Sequence, residues 1–104
     1  MIIILIFILL QLIHVTNQYS SEIRTRLLQV AWESLEHFLI NGRRTEFTTE
    51  TSELQTKRAV FVTLRKRDSG DLRGCIGQSE PYYPLIEAVS RTAISAAVDD
   101  SRFP

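Results

Sequence analysis

The feature that most constrains the fold is a pair of β-forming segments separated by a turn. The first, residues 59–64, reads AVFVTL and is rich in β-branched and aromatic residues. It is followed by KRDSGD, in which Asp, Ser and Gly favour a turn. Residues 72–76 then predict the return strand of a β-hairpin. Because successive residues of a strand alternate in face, one face would carry Leu72, Gly74 and Ile76, and the other Arg73, Cys75 and Gly77.

Amphipathic helices are predicted on both sides of this hairpin. After Ser20, apolar residues recur at spacings of three and four as far as Phe38, and Asn41-Gly42 suits a helix end. A second helix is predicted after Pro84, with a small apolar stripe. The expected fold is therefore α/β of the α+β type, with a mixed sheet flanked by helices. Residues 43–58 are polar and predict an exposed connection without fixed structure.

The first fifteen residues, MIIILIFILLQLIHV, differ from the rest because they are almost wholly apolar. A secretory signal would have a basic start, which is missing, and a transmembrane helix needs about 20 apolar residues. Three interpretations remain open: an extension foreign to the domain, a membrane anchor through residues 2–15, and a signal. We therefore divide the chain into an apolar leader, residues 1–17, and a domain, residues 18–104.

Composition excludes several classes of function. A chain of 104 residues supports one domain, and its 12 basic and 12 acidic residues give no general attraction to nucleic acid or anionic lipid. One cysteine cannot form an internal disulfide, and two scattered histidines do not complete a zinc site. We accordingly predict no metal and no cofactor.

Three segments of the domain resemble the AMMECR1 family, in the family's order and spacing. They are FVTL (residues 61–64), LRGCIG (residues 72–77), and the run from Pro84 to Pro104 that ends in SRFP. The first predicted helix, RLLQVAWESLEHFLINGR, is similar to the family's opening helix. The resemblance covers roughly residues 21–104, leaves the leader without a counterpart, and stops before the family domain does. We therefore expect an N-terminal, incomplete part of that domain.

What the resemblance implies about function is limited. Family members are compact, mixed α/β, intracellular proteins without an established biochemical activity. In prokaryotes they resemble one part of a three-component set with a Memo-like protein and a radical SAM protein. The implied location is cytoplasmic or nuclear, the alternative being a membrane-anchored protein. The resemblance marks two signature blocks, Arg73, Gly74, Cys75, Ile76 and Gly77 in the first and Asp100, Arg102 and Phe103 in the second.

Cys75 has two interpretations. As a catalytic thiol, it would use Arg73 on the same strand face to favour the reactive thiolate. As a packing residue, it would be a small buried side chain, with the glycines allowing a helix to approach closely. Nothing near it in the sequence supplies a base, since His37 is distant, and no second cysteine exists to resolve an oxidised one.

A binding role is the other hypothesis. Arg73, Arg102 and the backbone near the glycines would hold a phosphate or carboxylate, with Asp100 orienting an arginine. We rank a scaffold that meets a protein partner first, jointly with small-anion binding, and a thiol-dependent enzyme or modification factor second. The candidate binding residues are Arg73, Gly74, Ile76, Gly77, Asp100, Arg102 and Phe103. A nucleic-acid contact would use Lys57, Arg58, Arg65, Lys66 and Arg67.

Overall fold

The computed structural model describes residues 2–9, 20–78 and 80–100, which form a small sheet and its covering helices. In chain order, the elements are β1 (Ile2–Leu9), α1 (Ser21–Asn41), α2 (Ser52–Gln55), β2 (Ala59–Lys66), β3 (Leu72–Gln78) and α3 (Leu85–Val98). The chain combines helices with antiparallel strands and has no β-α-β unit with parallel strands among the described residues, so the expected α+β class is confirmed.

The predicted hairpin is present as β2 and β3, the last two strands of a sheet with the order β1-β2-β3. Its register pairs Val62 with Ile76 and shifts at a bulge between Leu64 and Arg65. Gly70, in the turn, has a φ of 74°, a left-handed conformation that glycine adopts without strain. A mixed sheet was expected, but both strand pairs among the described residues are antiparallel; for β2 and β3 this follows from their short hairpin turn.

Residues 2–9 of the apolar leader form β1, which pairs with β2 along its whole length, from Ile2 opposite Lys66 to Leu9 opposite Ala59. This third strand matters because an isolated two-stranded hairpin is only marginally stable in water. Met1 and residues 10–17, the remainder of the leader, lie outside the described residues. No helix in the described part of the chain is both long enough and apolar enough to cross a membrane.

Local sequence signals explain where α1 begins and ends. The Ser20 side chain accepts a hydrogen bond from the Ile23 N–H at 3.2 Å, which caps the first turn. At the other end Gly42 has a φ of 71°, and its N–H donates to the Phe38 carbonyl, as in a left-handed C-cap. Both predicted ends of this helix are therefore confirmed.

The core lies between the sheet and the two long helices. α3 packs on β2 and β3, whereas α1 packs on α3 and touches β1. Val60, Val62 and Leu64 of β2 are fully buried in one cluster with side chains from both helices. Between the helices, the buried Ser34 hydroxyl donates to the Val30 carbonyl and lies 2.7 Å from the Ser90 hydroxyl, within hydrogen-bond distance. The face of the sheet that carries these β2 side chains is thus packed against the helices.

The connection between α1 and β2 has more structure than its polar sequence suggests. Leu54, in the short α2, is only 3% exposed, and Phe47 is partly buried against the core. The prediction of an exposed connection without fixed structure is therefore wrong at these residues. An isolated apolar residue has no periodic neighbours, so the pattern gave no sign of its burial.

Candidate functional site

The inner face of β3, which carries Gly74 and Ile76, is turned towards α3. Gly74 is buried, and a Cβ placed on it would overlap the backbone carbonyl oxygen of Ala96. Ile76 is partly buried against the core cluster. The close approach of a helix to a strand glycine is what the packing interpretation expected, and it leaves no space for a ligand on this face.

The outer face, which we define as Arg73, Cys75 and Gly77 of β3 with Phe61 and Thr63 of β2, points away from α3. Phe61, Arg73 and Cys75 are partly buried, Gly77 is exposed, and Thr63 is buried. The register places Phe61 opposite Gly77, and the Phe61 ring fills the space that a side chain at Gly77 would need. An aromatic ring over a strand glycine compensates for the missing cross-strand contact.

Cys75 is a free thiol whose sulfur lies 3.2 Å from the Thr63 hydroxyl oxygen. Thr63 is directly opposite Cys75 in the register, so the contact follows from the hairpin pairing. A threonine hydroxyl is not a general base at neutral pH. The distant His37, by contrast, contacts Asn41 one turn along α1, with 3.2 Å between the His37 Nδ1 and the Asn41 Nδ2.

Asp100 joins the two signature blocks. Its carboxylate oxygen Oδ2 accepts a hydrogen bond of 3.0 Å from the Cys75 backbone N–H. Because β3 lies at the edge of the sheet formed by the described strands, this N–H points away from β2, and the carboxylate satisfies a donor that β2 does not. Asp100 is only 7% exposed, so the bond is shielded from water. Asp100, two residues after the end of α3, thereby fixes the edge of the LRGCIG strand.

The remaining candidates are placed as follows. Arg102 and Phe103 of the second block lie outside the described residues. Lys57 and Arg58 precede β2, whereas Arg65, Lys66 and Arg67 lie at its far end, so the basic residues do not form one patch. Arg58 and Arg65 are seven positions apart along the strand, about 23 Å at 3.3 Å per residue. Contact with nucleic acid stays a prediction.

In the described residues, no group of His, Cys, Asp or Glu could hold a metal ion.

Two residues of the outer face, Phe61 and Thr63, were missed among the candidate site residues. The signal that would have found them is the register of the hairpin, since each lies opposite a residue of LRGCIG. That register depends on a bulge, which alternation of apolar and polar residues does not reveal.

Comparisons with known proteins give a consistent result. The AMMECR1 family model matches residues 28–104, which excludes β1. A protein of Methanopyrus kandleri is 47% identical over 78 residues, which is 75% of this chain and 38% of that protein. One of Thermofilum pendens is 40% identical over 97 residues, covering 85% of this chain and 46% of the relative.

A solved structure shares the fold as well. The crystal structure of an uncharacterised protein from Pyrococcus horikoshii matches with a TM-score of 0.70 and 42% identity, over 76% of this chain and 41% of that one. The chain thus spans less than half the length of the relatives that it matches, as the resemblance to an N-terminal part of the domain predicted.

Proposed function

Because this chain belongs to the AMMECR1 family, whose relatives here are uncharacterised in function, we propose that it is a binding module. It presents the outer face of β3 to a protein partner. The alternative ligand of this face is a small anion bound at Arg73. The observation that carries this proposal is the division of LRGCIG between its two faces. On the inner face, the backbone of α3 occupies the space beside Gly74. Only the outer face of the signature is therefore left for contact with another molecule.

The chemistry of the outer face suits a protein partner. Phe61 offers a partly buried ring and Arg73 a guanidinium group, two residue types enriched at protein interfaces. The Cys75 backbone N–H at the edge of β3 already donates a hydrogen bond to the Asp100 carboxylate, so it is not available to pair with an added strand. This supports recognition through the face of β3 rather than by addition of a strand to its edge.

A thiol-dependent enzyme or modification factor using Cys75 is the alternative, and the free, partly exposed thiol is what favours it. Thiol catalysis uses a base beside the sulfur. The polar group found next to the Cys75 sulfur among the described residues is the Thr63 hydroxyl, which is not such a base, and this supports binding over catalysis. We expect the intracellular location that the family implies, where a reducing environment keeps a lone cysteine free.

The test is site-directed photo-crosslinking. A cysteine-reactive photo-crosslinker is attached to Cys75 of the full chain, and captured proteins are identified after irradiation in extracts of the native cells. We expect one predominant partner, whose capture falls strongly when Arg73→Ala or Phe61→Ala is introduced, because these changes alter the outer face without touching the crosslinker.

The matched control moves the probe to another exposed position. Leu39 on α1 is 69% exposed, so Leu39→Cys combined with Cys75→Ser places the same reagent away from the outer face. Equal capture of the partner from both positions would contradict the proposal. The anion alternative is tested by titrating the 15N-labelled chain with inorganic phosphate, and saturable shifts at residues 73–77 without protein capture would favour it.

A further inference from the structure

A second candidate site lies at the other end of α3. A cleft of about 370 Å³ separates the connection after α1 from the first half of α3. We name it the α3 cleft; its lining includes Arg44, Thr45, Glu46, Phe47, Glu87 and Arg91. Along α3, Arg91 is five residues and Glu87 nine residues from Ala96, about 7.5 and 14 Å at 1.5 Å per residue, and Ala96 contacts the inner face of the signature strand at Gly74. The cleft is therefore separate from the outer face.

Arg91 is held in a fixed position at this cleft. Its guanidinium carbon lies 4.3 Å from the centroid of the Tyr83 ring, a cation–π distance. Its Nε lies 3.3 Å from the Glu87 Oε2, within ion-pair range but without the geometry of a hydrogen bond, so the buried Nε–H is still available as a donor. A planar guanidinium fixed in this way is suited to bind a carboxylate through two parallel hydrogen bonds.

Thr45 supplies a second available polar group. Its hydroxyl oxygen is buried and has no hydrogen-bond partner among the described residues. Buried hydroxyl groups are almost always hydrogen-bonded, because an unpaired one loses its hydration without compensation. An oxyanion in the cleft would accept a hydrogen bond from this hydroxyl as well as from Arg91.

The charges around the cleft decide which anion fits. Arg44 and Arg91 are balanced by Glu46 and Glu87, so a dianion would meet two carboxylates without a surplus of positive charge. The partly buried ring of Phe47 offers an apolar contact, and the volume is near the lower end of small-molecule sites. We propose that the α3 cleft binds a small organic monocarboxylate, with its carboxylate at Arg91 and Thr45 and its apolar part beside Phe47.

The test uses benzoate as the probe and benzamide, a neutral molecule of the same shape, as its control. Each is titrated into the full, 15N-labelled chain and followed by amide chemical shifts. Benzoate is expected to give saturable shifts at residues 45–47 and 87–91, with affinity at least about tenfold above that of benzamide, since only benzoate forms charge-assisted hydrogen bonds. Residues 73–77 are expected to stay unchanged. Equal binding of benzoate and benzamide, or equally tight binding of inorganic phosphate, would overturn the proposal.

Two variants locate the carboxylate. Arg91→Lys keeps the charge but loses the planar fork, and Thr45→Val keeps the shape but loses the hydroxyl; each is expected to weaken benzoate binding about fivefold or more. Thr45→Val removes an unpaired hydroxyl, so it is expected to fold even if Arg91→Lys does not. Arg67→Lys, in the exposed hairpin turn, is the matched control and should leave affinity unchanged. An unaltered affinity of Thr45→Val for benzoate, or the absence of a saturable benzoate shift at the cleft, would contradict the inference.

Discussion

The two faces of β3 carry alternate residues of the same short motif, and they differ in what these residues contact. On the inner face, Gly74 is packed against the backbone of α3, and neither a side chain nor a ligand fits there. On the outer face, Cys75 and Arg73 are partly exposed, and the nearest atoms to a side chain at Gly77 would be those of the Phe61 ring. A glycine-rich signature is therefore not by itself a binding loop. Half of it fixes how strand and helix meet, and the other half is the part for which we propose a role in recognition.

The largest expected effect separates the two glycines of the motif. Gly74→Ala should reduce the free energy of unfolding by about 3 kcal/mol or more, because its Cβ would meet a backbone carbonyl that cannot move unless α3 shifts. Gly77→Ala should cost about 1 kcal/mol or less, since the Phe61 ring can rotate away. Urea denaturation followed by circular dichroism measures both. Similar losses in the two variants would remove the distinction between the faces.

A smaller effect is expected at the bond between the signature blocks. Asp100→Ala leaves the Cys75 N–H without this acceptor, and we expect a loss of about 1–3 kcal/mol, with faster amide hydrogen exchange at Cys75. Asp100→Asn keeps an acceptor oxygen but not the charge, so it should lose roughly half as much. Unchanged exchange at Cys75 in Asp100→Ala would show that the carboxylate does not protect this edge.

The smallest effect is expected on the outer face. Cys75→Ser should change the free energy of unfolding by about 1 kcal/mol or less, because the partly exposed serine hydroxyl could still hydrogen-bond Thr63. The measurement is again urea denaturation, with Gly74→Ala as the reference for a residue at a packed site. A loss as large as that of Gly74→Ala would make Cys75 a core residue and would weaken the case for a binding face.

Regular patterns made much of the fold predictable. The caps at Ser20 and Gly42 mark α1, and turn residues around Gly70 mark the hairpin. β1 was not predictable, since an unbroken apolar run has no period that distinguishes strand from helix. Its pairing with β2 is a contact across more than fifty residues of sequence.

The candidate site was only partly predictable for a related reason. The alternation of residues in a strand gave the two faces of LRGCIG, and the family resemblance marked Asp100. The bond between Asp100 and Cys75 spans 25 residues and depends on how α3 ends beside β3. The α3 cleft likewise needs Thr45 and Arg91 to meet in space, and no local pattern joins them.

Native-state alkylation of Cys75 tests the central claim most directly. Iodoacetamide reacts with the full chain at increasing urea concentrations, all below the unfolding transition, and the rate is compared with that of the fully unfolded chain. If the outer face is open for binding, Cys75 reacts in the folded state, and its rate is nearly independent of urea across the native range. If the rate instead rises with urea as steeply as global unfolding predicts, Cys75 is reached only in the unfolded chain. The outer face would then be closed, and the proposed binding role would be wrong.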